Sequence, residues 1–404
     1  MSAPASTLRH DAHVIGFVGI AHGFSHFFQL MLPPLFPILK EELATGYADL
    51  GLVMAVFYAV SGLMQTVAGF LVDRWGAHRI LVLGLAFAAV GTMAYAIAPS
   101  YPFLIVGAVI AGLGNSVFHP GDLALLNAKV STPRLGHAFS VHGIGGNLGW
   151  AAAPVFTVAM SAAFGWRAAL VAAGVIGLAF TALFALQGAL RLRGAGASAF
   201  AGTRVLARDL HALTRPAIVL CFLFFLLYSM ALVGYQTFSV PAMTAIYAVP
   251  IVTATAALTT FLLGGAAGIL FGGWVATRTN RHARVAALGM LLAAVFSFLL
   301  APGQVPPALL SVVIAAVGFF LGMIGPSRDI LVREAAPVDA RGKVYGFVYS
   351  GLDLGGLIAP LAFGVALDRG APWVVFAGAA AFMLLAVPTA LRVVGGRRVL
   401  AVPA

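Results

Sequence analysis

Long apolar runs alternate with short polar or Pro/Gly-rich breaks along the whole chain of 404 residues. Each run approaches the roughly 20 residues that a helix needs to cross a bilayer, and none alternates residue by residue as a membrane barrel strand does. The pattern predicts an all-helical integral membrane protein with twelve transmembrane helices. The expected spans are 14–39, 47–72, 80–98, 102–128, 136–161, 166–189, 217–244, 250–275, 284–301, 307–332, 343–366 and 373–392.

One stretch of the fourth and fifth spans occurs twice. Residues 112–154 align without gaps with residues 318–360, at an offset of 206 positions. The coinciding glycines and prolines set backbone shape and close helix approach, so the two copies should share one architecture. The coinciding pairs are Gly112/Gly318, Pro120/Pro326, Gly136/Gly342, Gly145/Gly351, Gly149/Gly355 and Pro154/Pro360.

The repeat predicts two pseudo-symmetric halves of six helices each, residues 1–190 and residues 216–404. Between them lies the longest polar break, residues 191–215, which is rich in Gly, Ala and Arg. Its arginines favour a linker on the cytoplasmic side of the membrane.

Composition and charge placement agree with burial in a membrane. The chain is 61% hydrophobic and 9% charged, with a mean hydropathy of +1.02, which excludes a water-soluble domain of this length. A net charge of +11 would suggest nucleic acid in a soluble protein, but here the charges follow the positive-inside rule. We expect a monomer in the bacterial inner membrane with both termini cytoplasmic and no nucleic-acid partner. All Lys and Arg then lie on the cytoplasmic side except Lys40, Arg167, Arg328 and Arg369.

Motifs for catalysis or cofactor binding do not occur in the sequence. The single cysteine, Cys221, lies in an apolar run, so neither an intramolecular disulfide nor a cysteine-based metal site is expected. The chain has no GxxxxGK[ST] nucleotide loop, no HExxH pattern and no hydrolase arrangement of Ser and His. We therefore expect no enzyme activity, no ATP-driven step and no cofactor.

The loop between spans two and three reads GFLVDRWGAHR at residues 69–79. It resembles the signature loop of the major facilitator superfamily, and the resemblance implies a twelve-helix transporter that works by alternating access. The VFHP run at 117–120 and the GIGGNLG segment at 143–149 resemble the fosmidomycin-resistance branch of drug efflux proteins. That branch tends to place an acidic residue directly after His-Pro, whereas here Gly121 intervenes and Asp122 carries the charge.

The signature loop also supplies candidate gating residues. Its glycines permit close helix approach and a tight turn, and its acidic residue can pair with basic residues at the cytoplasmic ends of neighbouring spans. The resemblance implies a latch that opens during transport. An acidic residue is not needed to set topology, which favours the latch over a purely topological role. The loop residues assigned to gating are Gly69, Asp73, Arg74, Gly76 and Arg79.

Polar side chains form two stripes in the first half, each at the i, i+4, i+7 spacing of one helix face. Because polar groups are costly in lipid, both stripes should face protein or a water-filled cavity. The resemblance places spans one and four at the substrate cavity. The stripes are His22, His26 and Gln29 in span one, and Asn115, His119 and Asp122 in span four.

Structural roles stay open for several of these residues. Either histidine of span one can be a packed, hydrogen-bonded core residue. Asn115 can form a helix–helix hydrogen bond beside Gly112 and Gly114, and His119 can bond a carbonyl group freed by Pro120.

Charges within the spans mark the sharpest candidates, because an intramembrane charge is costly unless it is paired or used. Asp122 and Arg328 are repeat equivalents on spans four and ten, and they can form a gating salt bridge that breaks when the halves rock apart. Arg328 can instead bind an anionic substrate group through its guanidinium, or lie with Asp329 near the interface in contact with water.

Asp353, in the middle of span eleven, is the first candidate for a proton-coupling carboxylate, because an apolar span favours a carboxyl group that can take up a proton. Asp122 is the second, with His119 as a relay, since imidazole titrates near neutral pH. The alternative for either Asp is a structural hydrogen bond to a neighbouring Tyr or Ser. The remaining substrate-binding candidates are Asn147, Tyr228, Gln236 and Tyr349.

The sequence therefore predicts a proton-driven secondary transporter that exports a small organic compound, a drug or an anionic metabolite, by rocker-switch alternating access. Proton-coupled uptake of an organic acid anchored by Arg328 stays open, as does a membrane-embedded enzyme. Divalent metal transport is a further alternative, but no metal site is assigned because the spacing enforces no ligand cluster beyond i, i+4. Its ligands would be His22, His26, His119 and Asp122.

Overall fold

A computed structural model describes residues 8–190, 213–337 and 341–398. Within these residues, twelve segments are helical, long and apolar enough to cross a membrane. The predicted all-helical fold with twelve spans is confirmed, while residues 191–212 of the predicted linker lie outside the described residues. The spans, numbered one to twelve, are Leu8–Glu42, Tyr47–Trp75, Ala77–Ala96, Tyr101–Lys129, Thr132–Phe164, Trp166–Ala185, Pro216–Tyr247, Ile251–Ala276, His282–Leu300, Pro307–Ala335, Val344–Asp368 and Val374–Val393.

Prolines interrupt two of the spans. Span one is a helix over Leu8–Gln29, a short turn of 3-10 helix over Pro33–Leu35 and a helix over Phe36–Glu42. Span four divides into helices Tyr101–Asn115 and Phe118–Lys129. Pro120 has no N–H for the carbonyl group of the residue four positions earlier, and the helix opens there.

The chain separates into two compact units. The first comprises Met1–Thr45 and Leu52–Ala199, and the second comprises Gly46–Gly51 and Phe200–Ala404. In the first unit, span one packs on span five, and span three packs on spans four and six. In the second, span seven packs on span eleven, and span nine packs on spans ten and twelve. These three pairings recur in both units, whereas the extensive packing of span seven on span twelve has no equally extensive counterpart between spans one and six.

Glycines of the repeat lie where helices touch within each unit. A Cβ atom on Gly112 would lie 2.7 Å from the carbonyl oxygen of Phe57, and one on Gly318 would overlap the carbonyl oxygen of Phe261. Gly136 differs, because a Cβ atom there would have no atom within 4 Å. Close backbone approach is thus a feature of some repeat glycines and not of all.

Candidate functional site

Three polar side chains meet in the interior of the first unit. Asp122 of span four is fully buried, and its Oδ2 lies 3.0 Å from Nδ1 of His22 and 3.1 Å from Nε2 of His142. The two imidazole rings stack with centroids 3.6 Å apart, so both present a nitrogen to the same oxygen. The other carboxylate oxygen, Oδ1, is buried and has no hydrogen-bond partner in the part of the chain that the structure describes. We call these three residues the His–Asp–His cluster.

Glycines bring spans one and five together at this cluster. A Cβ atom on Gly145 would overlap the carbonyl oxygen of Gly19, and one on Gly149 would overlap that of Gly23. Small residues at such spacing let two helix backbones approach closely in a membrane. His22 of span one can therefore contact His142 of span five.

The other two histidines of the stripes lie beside the cluster. The His26 ring is 4.4 Å from the His22 ring and stacks on Trp150 with centroids 4.1 Å apart. The His119 ring is 5.8 Å from the His22 ring, and its side chain is exposed. Within the described residues His119 makes no hydrogen bond, so it does not take up the carbonyl group freed by Pro120.

The span-four stripe does not face one environment, because the helix is interrupted between its members. Asn115 donates a hydrogen bond to Ser61 of span two over 2.8 Å, which is the helix–helix role left open above. Asp122 instead faces spans one and five. Asn147 of span five donates to the backbone carbonyl group of Gly143 over 2.9 Å, a bond within its own helix.

Gln29 of span one and Gln236 of span seven, which stand 207 positions apart in the sequence, are held differently. Gln29 donates to the hydroxyl of Tyr58 over 3.0 Å and accepts from the indole N–H of Trp150 over 2.8 Å. Gln236 is buried in span seven, and neither polar atom of its amide group has a hydrogen-bond partner among the described residues. Gln29 therefore links three spans of the first unit, and ligand binding by Gln236 stays a prediction.

Arg328 lies among aromatic rings in the second unit. Its guanidinium carbon is 4.4 Å from the Phe225 ring centroid, 5.0 Å from that of Tyr228 and 6.0 Å from that of Tyr349. At such distances a cation is attracted to the ring face. Nε donates to Oδ1 of Asp329 over 3.0 Å, and the side chain is 13% exposed. The positive charge of Arg328 is therefore stabilised by protein groups and not by water alone. The terminal amino groups are the atoms that can reach an anion.

Asp353 is partly buried in span eleven and makes no hydrogen bond or ion pair within the described residues. The neighbouring hydroxyl groups bond elsewhere. Tyr349 donates to the carboxylate of Asp329 over 3.1 Å, Tyr345 donates to the backbone carbonyl group of Asp329, and Ser350 bonds its own helix. The structural partners considered for Asp353 are therefore engaged with other groups.

In the signature loop, Gly76 has a φ of 87°, which favours glycine and makes the tight turn between spans two and three. Gly69 differs from expectation, because a Cβ atom there would have no atom within 4 Å, so it is not a close helix contact. Asp73, Arg74 and Arg79 are exposed and make no ion pair in the part of the chain that is described. The latch stays a prediction.

The predicted pairing of Asp122 with Arg328 also stays a prediction. Each charge has a partner in its own unit, His22 and His142 for the aspartate and Asp329 for the arginine.

Sequence reasoning missed His142. It is a histidine inside the repeated block and an apolar span, which by itself suggests a functional residue.

Twelve spans in two units of like helix pairing, each enclosing charged or polar side chains, define a multi-pass membrane transport protein. The model of the Major Facilitator Superfamily matches residues 18–257 and 229–399. The chain belongs to the Major Facilitator Superfamily, whose members are transporters and not enzymes. The family prediction is confirmed.

Among curated relatives, the chain is similar to an uncharacterized MFS-type transporter, YfnC, of Bacillus subtilis, with 31% identity over 36% of this chain and 35% of the relative. It is also similar to the fosmidomycin resistance protein of Escherichia coli, with 26% identity over 41% of this chain and 40% of the relative. The matched segments thus span well under half of either relative. A solved structure of a mutant nucleoside transporter, NupG, has a TM-score of 0.76 at 15% identity over 93% of this chain and 99% of that one. That likeness shows the fold alone.

Proposed function

We propose that this transporter uses the proton gradient to export a small organic compound, a drug or an anionic metabolite, across the bacterial inner membrane. Rocker-switch alternating access is the mechanism that its family implies, and both termini are then cytoplasmic. The observation that carries proton coupling is Asp353, a partly buried carboxyl group without a hydrogen-bond partner among the described residues. An intramembrane carboxyl group in that setting is costly unless it is used, and proton exchange is the use that fits.

Substrate binding in this proposal centres on Arg328. Its terminal amino groups suit a carboxylate or another oxyanion, and the rings of Phe225, Tyr228 and Tyr349 suit an apolar body. The unpartnered amide group of Gln236 can add a neutral hydrogen bond. One relative is named a fosmidomycin resistance protein, which supports export of an antimicrobial compound.

Coupling between proton and substrate has a short path in the second unit. Tyr349 lies one helical turn before Asp353, so both side chains are on the same face of span eleven. The Tyr349 hydroxyl group donates to Asp329, which pairs with Arg328. A change in the charge of Asp353 would therefore occur one helical turn from Tyr349, whose hydroxyl group bonds the carboxylate that pairs with Arg328.

Replacing Asp353 with asparagine tests the proposal. Asp353→Asn installs the residue that the other repeat carries at Asn147, so the helix should tolerate it. We expect compound uptake into everted vesicles, measured with fosmidomycin and a panel of antimicrobials and organic acids, to lose its stimulation by an acidic lumen. Ser350→Ala, one turn of helix away, is the matched control and should keep that stimulation. A pH-gradient dependence unchanged in Asp353→Asn would remove this residue from proton coupling.

Uptake of an organic acid is the second candidate, and the accessible amino groups of Arg328 favour it as much as they favour export of an anion. The direction of the driving gradient separates the two. Accumulation in right-side-out vesicles only when the outside is acidic would replace the export proposal with uptake.

A further inference from the structure

The His–Asp–His cluster offers three metal-ligating atoms in one place. One atom each from His22, Asp122 and His142 lies within 4.8 Å of the other two. Two imidazole nitrogens and one carboxylate oxygen form a donor set typical of zinc and related divalent ions. We propose that the cluster binds one divalent transition-metal ion, independently of the proton site at Asp353.

The spacing of the ligand atoms fits such an ion. Bonds of about 2.0–2.2 Å in a tetrahedral site place neighbouring ligand atoms roughly 3.3–3.5 Å apart. Oδ2 of Asp122 lies 3.0 Å from the nitrogen of His22 and 3.1 Å from that of His142. The two distances between carboxylate oxygen and imidazole nitrogen therefore need to lengthen by only a few tenths of an ångström to match a metal site. The two nitrogens that face the carboxylate would donate their lone pairs to the ion in the tautomer in which they carry no proton.

Electrostatics favour a cation at this position. Asp122 is fully buried, and none of the described Lys or Arg side chains pairs with it. With both imidazoles neutral and the carboxyl group ionised, the cluster carries a net negative charge in the interior of the unit. Oδ1 of Asp122 is also buried without a hydrogen-bond partner within residues 8–190, 213–337 and 341–398, so the hydrogen bonds of these residues do not satisfy the group. A divalent ion would compensate this charge and would be coordinated by the carboxylate.

Neighbouring groups hold His22 in place beside Asp122. The rings of His22 and His142 stack with centroids 3.6 Å apart, and one nitrogen of each ring faces Oδ2 of Asp122. The Ser25 hydroxyl group donates to the backbone carbonyl group of His22 over 2.8 Å. His119, exposed and without a hydrogen bond in the described chain, lies beside the cluster and can serve as the fourth ligand in place of water.

An ion here would join spans one, four and five. The four residues come from helices that pack directly on one another in the first unit. Two of these residues have no equivalent in the second copy of the repeat. Val348 occupies the position that corresponds to His142, and Gly325 occupies the position that corresponds to His119. The second unit therefore cannot form an equivalent site from its repeat-related positions.

Cobalt binding to the purified full-length protein tests the site. After treatment with a chelator, the protein is titrated with Co²⁺ in detergent, because tetrahedral Co²⁺ bound by nitrogen and oxygen gives visible absorption bands. We expect one saturable Co²⁺ site whose bands disappear when Zn²⁺ is added. His142→Gln should weaken Co²⁺ binding by roughly tenfold or more, since a ligand contributes at least as much as its supporting groups. His137→Gln, an exposed histidine of the same span, is the matched control and should bind as the wild type does.

A second variant keeps the test decisive if His142→Gln folds poorly. His142→Cys replaces one ligand with another, and a metal site then gives a near-ultraviolet charge-transfer band from thiolate to Co²⁺. The absence of saturable Co²⁺ bands in folded wild-type protein would overturn the proposal. Equal Co²⁺ affinity in His142→Gln and His137→Gln would overturn it as well. Neither result depends on transport, so the proposed function stands or falls separately.

Discussion

Gly146 determines how closely the histidines of span one can approach span five. A Cβ atom at this position would lie 2.8 Å from Nδ1 of His26 and 2.9 Å from Cδ2 of His22. These are closer than ordinary packing distances, so any side chain at Gly146 would displace both rings. The backbone of span five thus bounds one side of the space that holds the His22 and His26 rings, which we call the histidine pocket.

Gly146→Ala should lower the thermal stability of the protein in detergent, by the equivalent of about 1–3 kcal/mol, because the added methyl group overpacks the histidine pocket. Gly143→Ala is the matched control one turn of helix earlier. A Cβ atom on Gly143 would have no atom within 4 Å, so the control should keep or slightly raise stability. Equal melting temperatures for the two variants would show that the rings are not confined as described.

Span one is tied at its beginning to the loop between spans four and five. Asp11 is fully buried and accepts hydrogen bonds from the Ser131 hydroxyl group over 2.6 Å and from the Arg134 guanidinium over 2.5 Å. This ion pair lies within the first unit. It fixes the end of span one relative to the two helices that complete the His–Asp–His cluster.

Asp11→Asn should destabilise the protein by about 1–3 kcal/mol, because the buried hydrogen bonds lose their charged acceptor. Thermal melting in detergent measures the change. Asp73→Asn provides the control, since Asp73 is exposed and makes no ion pair among the described residues. If Asp11→Asn melted at the same temperature as Asp73→Asn, the contacts of Asp11 would not contribute to the stability of the fold.

Apolar run length predicted all twelve spans, because a bilayer imposes one minimum length on every helix. The residues at which helices begin and end were harder to predict from the sequence. Span one begins at Leu8 and not at residue 14, since a helix can continue through polar residues once it leaves the apolar layer. Pro120 indicates that the helix is disturbed nearby, but it does not tell at which residues the helix ends and begins again.

Side-chain partners could not be predicted in the same way. The stripe spacing put His22 and Asp122 on candidate faces, and the structure brings these two residues together. His142 was missed because its contact depends on the rotation of span five about its axis, which is set by glycine contacts between distant segments. The same reason applies to Asp11, whose partners lie more than a hundred residues further along the chain.

At the scale of the whole molecule, a shared frame supports different chemistry in its two copies. Helix pairing recurs from the first unit to the second. Yet the first unit holds histidines around a buried aspartate, and the second holds an arginine among aromatic rings and an unpartnered Asp353. The proposed proton site and the proposed compound site therefore both belong to the second unit, and the proposed metal site belongs to the first.

The signature loop should act on transport rate and not on folding. If Asp73 forms a latch in one state of the transport cycle, Asp73→Asn should change the initial rate of transport while the melting temperature stays that of the wild type. Asp73→Glu keeps the charge and should retain more activity. Wild-type transport rates in Asp73→Asn would leave the loop with a topological role only.

Proton-driven export requires that proton and compound move in opposite directions, and proteoliposomes measure this exchange directly. Liposomes that contain the protein and a pH-sensitive dye are loaded with a transported compound and diluted into compound-free buffer at equal pH. Export in exchange for protons predicts that the interior becomes acidic as the compound leaves, and that Asp353→Asn abolishes this change. An interior that becomes alkaline, or compound efflux with no proton movement through the wild-type protein, would contradict the account.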